Sequence, residues 1–140
     1  MPHRPPPDGF STLDLPSGFI QFAGPLFGRD DDSGVKVGFR VEPRYCNLFG
    51  NCHGGWLATM ADIQLALACK GHPEIAGRYD KLPVFVTINL NIDFPAPAPL
   101  GTWVEGKAEV LRVTRNTAFT QMIATADGLL CLRASGIFKL

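Results

Sequence analysis

Apolar and polar residues alternate strictly between positions 35 and 42, with Val35, Val37, Phe39 and Val41 set against Lys36, Gly38, Arg40 and Glu42. This period of two predicts a strand with one buried face. A longer alternation runs through Val84, Val86, Ile88, Leu90, Ile92 and Phe94, and assigns Thr87, Asn89, Asn91 and Asp93 to a second, unusually polar face. Residues 102–113 alternate through Val104, Ala108 and Val110. Residues 117–126 and 129–138 read as two further strands joined at Asp127-Gly128, a common hairpin turn pair. The C-terminal half is therefore expected to be an antiparallel meander. The stretch Pro95 to Pro99 forms a rigid connection within it.

A different period appears between the first two alternations. From Gly55 to about Cys69, the residues Trp56, Leu57, Met60, Ile63, Leu65 and Leu67 cover every side of a helical cylinder, which predicts a helix buried all round. At about 15 residues it is too short to span a bilayer. One buried helix among five to six antiparallel strands points to an α+β fold, a sheet wrapped around a long central helix.

A chain of 140 residues is the size of one domain. With 46% apolar residues, 19% charged residues and zero net charge, it has the balance of a soluble globular protein and not of a nucleic-acid binder. Any anionic ligand must be met by local charge. Prolines 2, 5, 6 and 7 and the absence of an apolar run mark residues 1–9 as a disordered tail, neither signal peptide nor membrane anchor. Residues 10–140 are then the domain. Cys46, Cys52, Cys69 and Cys131 have neither C-x-x-C spacing nor the density of a disulfide scaffold, so a reducing cytoplasm is expected. Cys46, Cys52 and His53 match no common zinc pattern, and no metal site is expected. Cys69 and Cys131 sit in apolar runs as small core residues.

Asp62 is the anomaly in the apolar helix, because an unpartnered buried carboxylate is costly. Either a partner such as Thr59, one turn earlier, satisfies it, or it is a general base or nucleophile. Gly54 and Gly55 stand at the helix start, where N–H groups lack partners and the dipole favours negative charge. Such amides can form an oxyanion hole, although glycines there also serve a tight turn. His53 can cap the helix, and Asn47 can close a local turn on its own backbone. Gly54 and Asp62 lie eight residues apart, or about 12 Å of axial rise. One substrate carbonyl cannot touch both within one chain. If both are catalytic, Asp62 must come from a second subunit related by a two-fold axis.

Asn47, Gly50, His53, Gly54, Gly55 and Asp62, spaced N-x-x-G-x-x-H-G-G then six residues and D, resemble the signature of the phenylacetate-pathway (PaaI-type) hotdog thioesterases. The likeness extends over most of the chain after about residue 18, including Asn91-Ile92-Asp93-Phe94-Pro95-Ala96 and Arg115-Asn116-Thr117-Ala118-Phe119. The resemblance implies that Asp62 activates water or attacks the thioester, that the Gly54 amide polarises the carbonyl, and that Asn47 places the water or the base. It also implies that His53 supports the loop and that Thr87 lies near the water. It places substrate and CoA contacts at Gly55, Asn89, Phe94 and Pro95 and along Arg112, Thr114, Arg115, Asn116 and Thr117. Trp56, where smaller aliphatic residues are usual, and Gln64, just past Asp62, depart from the family and are expected to reshape the acyl pocket. The stretch 70–83 looks long enough to form a lid or rim.

The expected activity is hydrolysis of an aryl- or medium-chain acyl-CoA to free acid and CoA, without a metal or redox cofactor. The expected assembly is a homodimer, paired into a dimer of dimers, with no nucleic-acid or membrane partner. A hotdog hydratase or dehydratase using His53, and a non-catalytic acyl-CoA sensor, are the alternatives.

Overall fold

The computed structural model describes residues 4–78 and 85–140. Its elements run β1 (Ser11–Thr12), α1 (Gly18–Ala23), β2 (Phe27–Asp31), β3 (Gly34–Arg40), α2 (Gly54–Gly71), α3 (Pro73–Ala76), β4 (Val86–Asp93), β5 (Trp103–Val113), β6 (Thr117–Ala126) and β7 (Leu129–Lys139). A single antiparallel sheet has the order β1-β2-β3-β5-β6-β7-β4. Its seven strands exceed the expected five to six because β1 and β2, too short for a readable period, pair ahead of β3. α1 and α3 are likewise too short for periodicity to show. The meander closes as expected at Asp127-Gly128, where φ values of 46° and 88° give the doubly positive geometry of a tight hairpin.

The sheet curls around α2, and the core is their shared interior: Phe39, Met60, Leu65, Leu132 and Phe138 are all fully buried. At Gly106 a Cβ would come 2.8 Å from the Met60 and Met122 methyls, so a side chain there would make these two methionine ends shift. Cys69 and Cys131 fill core space. Where the β3–β5 register stops at Val37–Gly106, Gln64 takes over. Its Oε1 accepts from Val37 N at 2.8 Å and its Nε2 donates to Val35 O at 2.7 Å. Gln64 is thus a buried strut to β3 and not a pocket residue, contrary to the expectation drawn from its place beside Asp62. Gln64→Leu strands one buried and one part-buried backbone group and should cost about 2–4 kcal/mol, read as a lower urea midpoint at unchanged slope.

Two sequence expectations are corrected. α2 is not buried all round: Ala58, Thr59, Asp62, Ile63, Ala66 and Leu67 are only half-buried and form one wall of an open cavity. Nor does β4 alternate strictly. Thr87 pairs with Phe138 and Asn89 with the next residue, Ile137, leaving Ile88 as an extra residue in a β-bulge. The phase therefore inverts. Thr87 turns inward with Leu90 and Ile92, while Val86 and Ile88 are 56% and 59% exposed. Thr87 does not share the polar face of Asn89, Asn91 and Asp93. Of residues 4–9, Pro5 O accepts from Arg40 at 3.1 Å, and Phe10, where the expected domain begins, is edge-on to Trp103 at 5.0 Å.

Candidate active site

The chain approaches α2 through a tight loop. Asn47 N donates to Asn51 O at 2.8 Å and His53 N to Tyr45 O at 2.7 Å. The Asn47 side-chain oxygen accepts from Phe49 N at 2.9 Å and Asn51 N at 3.3 Å, which is the local-turn role open to an Asn there. Gly50 supplies the turn's positive φ of 76°. Cys52 N donates to Ala98 O at 2.7 Å, tying the loop to the segment after β4.

His53 caps the helix. Its Nδ1 accepts from Gly55 N at 3.2 Å, and its carbonyl accepts from Trp56 N and Leu57 N at 3.0 and 3.2 Å. Of the four first-turn donors, Gly54 N–H alone has no partner among the described residues. The Phe94 ring lies 3.3 Å from where a Cβ on Gly54 would sit. A free amide at a helix N-terminus beside an apolar ring is suited to bind a developing oxyanion.

Two turns further along α2, Asp62 Oδ1 accepts from Thr87 Oγ1 at 2.6 Å. The Thr59 hydroxyl donates instead to Gly55 O at 3.0 Å, so the partner of Asp62 lies on the sheet and not one turn earlier. The bulge at Ile88 makes this contact by turning Thr87 inward. Asp62 and Thr87 line a cavity of about 1140 Å³ walled by apolar side chains such as Leu15, Phe19, Ile63 and Leu90. A second cavity of about 420 Å³, at the helix start, is lined by His53, Gly55, Trp56, Tyr45 and Cys46. Phe19 and Thr59 border both. Trp56 stacks on Tyr45 at 4.6 Å, and the Tyr45 hydroxyl donates to Ala23 O at 2.7 Å. Burial pushes the Tyr45 phenol up to about 12, so it stays a neutral anchor for α1. Trp56 therefore walls the smaller cavity. The part played by α1 was missed in the sequence; its only signal is Ser17 as an N-cap ahead of Gly18-Phe19-Ile20.

The remaining expected contacts lie elsewhere. Asn89 accepts from Asn91 Nδ2 at 2.6 Å on the outer sheet face, away from Asp62. Pro95 is exposed beside Phe94. Arg112, Thr114, Arg115, Asn116 and Thr117 form the β5–β6 hairpin, which Arg78 ties to α3 by donating to Thr114 O at 2.7 Å. The expected lid at 70–83 includes the end of α2 and α3, and its part from 79 to 83 lies outside the described residues. Among the described residues no three His, Cys, Asp or Glu side chains gather to hold a metal, and no helix is long and apolar enough to cross a membrane.

The thioesterase superfamily family model matches residues 49–131, which contain the helix cap, Asp62 and Thr87. The chain belongs to the thioesterase superfamily. Among curated proteins, this thioesterase-superfamily chain is 33% identical over 135 residues to a proposed esterase of Pseudomonas aeruginosa, covering 96% of both chains. It is 32% identical over 90 residues to human acyl-coenzyme A thioesterase 13, covering 61% of this chain and 56% of that one. A Thermus thermophilus phenylacetic acid degradation protein, PaaI, solved as a point mutant, shares its fold at a TM-score of 0.71 and 24% identity, covering 88% of this chain and 98% of that one. The sheet and helix of this thioesterase are those of a PaaI-type hotdog fold.

Proposed function

We propose that this thioesterase hydrolyses an acyl-CoA thioester with an aryl or medium-chain acyl group, by water attack driven by Asp62. The observation that carries the reading is the pairing of one free first-turn amide, Gly54 N–H, with a carboxylate held at one oxygen by Thr87. Asp62 takes a proton from water as the water oxygen attacks the carbonyl. The Gly54 amide stabilises the oxyanion; the C–S bond then breaks, and CoA leaves as thiolate. A thioester is already activated, so the proposed reaction uses no metal or redox cofactor.

About 12 Å of helix separates Gly54 from Asp62, so each site combines Gly54 of one subunit with Asp62 of a second. The free edge of β4 supports this arrangement. It ends the sheet, has β7 as its one strand partner among the described residues and carries the exposed Val86 and Ile88. The open cavity wall of α2 lies beside it. The proposal includes a cytoplasmic dimer, paired further into a dimer of dimers, and assigns CoA phosphates to the exposed Arg112 and Arg115.

The test is release of free thiol from a panel of aryl- and alkanoyl-CoA thioesters. Turnover on any member supports the proposal, whereas acyl-CoA binding without thiol release replaces it with a sensor. Thr87→Val keeps the shape and removes the donor to Asp62, and should lower kcat roughly 10-fold, with Thr87→Ser near wild type.

A further inference from the structure

Cys46 and Cys52 form an isolated antiparallel bridge. The hydrogen bonds on either side, Asn47 N to Asn51 O and His53 N to Tyr45 O, make them a non-hydrogen-bonded pair. In such a pair the side chains share a face and the Cα atoms stand about 4.5 Å apart. That separation lies at the short end of the range a disulfide spans, which favours a bond that forms without refolding and is readily reduced. Both cysteines are free thiols. Cys46 lines the cavity at the helix start, giving a small reagent access, while Cys52 is buried behind it.

We propose that Cys46 and Cys52 are a reversible disulfide-modification site, oxidised by a small-molecule disulfide such as oxidised glutathione. The Cys46 thiolate attacks one glutathione sulfur, the S–S bond breaks, and a glutathione thiolate leaves with the electron pair. Cys52, giving up its proton, attacks the Cys46 sulfur of the mixed disulfide and expels the second glutathione thiolate. Two protein thiols lose two electrons, one glutathione disulfide gains them, and the released protons end on the two glutathione thiols. Burial pushes the Cys52 thiol up to about 12 and raises Cys46 as well. Thiolate is therefore scarce at neutral pH and closure is slow.

Closure ties off the five-residue turn 47–51 immediately before His53 and the free Gly54 amide. Drawing the two Cβ atoms to disulfide distance pulls Cys52 away from its own contact with His53 O, 3.7 Å from its sulfur. The start of α2 moves with it. On the thioesterase reading above, which this consequence alone requires, the oxidised form loses about 10-fold in kcat, because small displacements of a positioned donor are expensive.

The test incubates the full chain with oxidised glutathione at mildly alkaline pH, then measures intact mass and maps peptides without reduction. The expected product is two hydrogen atoms lighter, with residues 46 and 52 on one cross-linked peptide and roughly 5 °C more thermal stability. Dithiothreitol should reverse it, and Cys46→Ser and Cys52→Ser should each abolish it. A stable glutathione adduct, a link through Cys69 or Cys131, or no loss of hydrogen overturns the proposal. Because mass and mapping need no turnover, they stand apart from any failure of the activity assay.

Discussion

Replacing Asp62 with Asn lowers thioester hydrolysis by roughly 10² to 10⁴-fold while leaving the fold intact. The amide is nearly isosteric and still accepts the Thr87 hydroxyl at the oxygen now held at 2.6 Å, so packing around α2 is kept. What it loses is the ability to take a proton from water. Initial rates of free-thiol release, measured beside a thermal melt, check this: a slow variant that melts like wild type supports Asp62 as the base. A variant with wild-type rates sinks that assignment and leaves the Asp62–Thr87 pair as a structural contact.

Gly54→Ala is expected to cost about 10²-fold by a different route. The backbone donor survives, but the new Cβ meets the Phe94 ring at 3.3 Å and, on the proposed mechanism, stands where the substrate carbonyl approaches. The ring can give by a few tenths of an ångström, so the loss should fall on kcat more than on stability. Measuring Gly54→Ala in a Phe94→Ala background separates the two causes. If ring displacement is the damage, the second substitution recovers much of the rate. If the methyl itself blocks the carbonyl, the double variant stays slow. Wild-type activity in Gly54→Ala alone would remove Gly54 from the mechanism.

Much of this architecture is legible in the residues because long periods survive in the sequence. The hairpin at Asp127-Gly128, strands β3 and β5 to β7, and the central helix all announce themselves through alternation or turn chemistry. The helix cap is legible too, since His-Gly-Gly ahead of an apolar run marks a helix start, although that only the Gly54 amide is left free there is decided by the His53 side chain. What stays hidden is decided by tertiary contacts. No local signal says that Gln64 reaches across to Val35 and Val37, whereas the turn that Asn47 closes on Phe49 and Asn51 is local chemistry an Asn there offers. The open wall of α2 is hidden for a related reason: a half-buried Ala58 or Ile63 looks the same in sequence as a fully buried one. α1 is invisible because six residues hold too few turns to show a period.

The extra residue at Ile88 bears on how relatives of this protein should be compared. Strand position 87 reaches the Asp62 carboxylate only because one residue between it and position 90 is uncounted in the ladder. The hydroxyl is therefore an outcome of spacing as much as of residue type. A homologue with Thr at the aligned position but a regular strand would present that Thr to the outside. Another, with its hydroxyl one place along and the bulge moved to match, would reproduce the contact. Counting residues from the bulge, rather than matching letters column by column, is what identifies the chains able to hold this carboxylate in the same way.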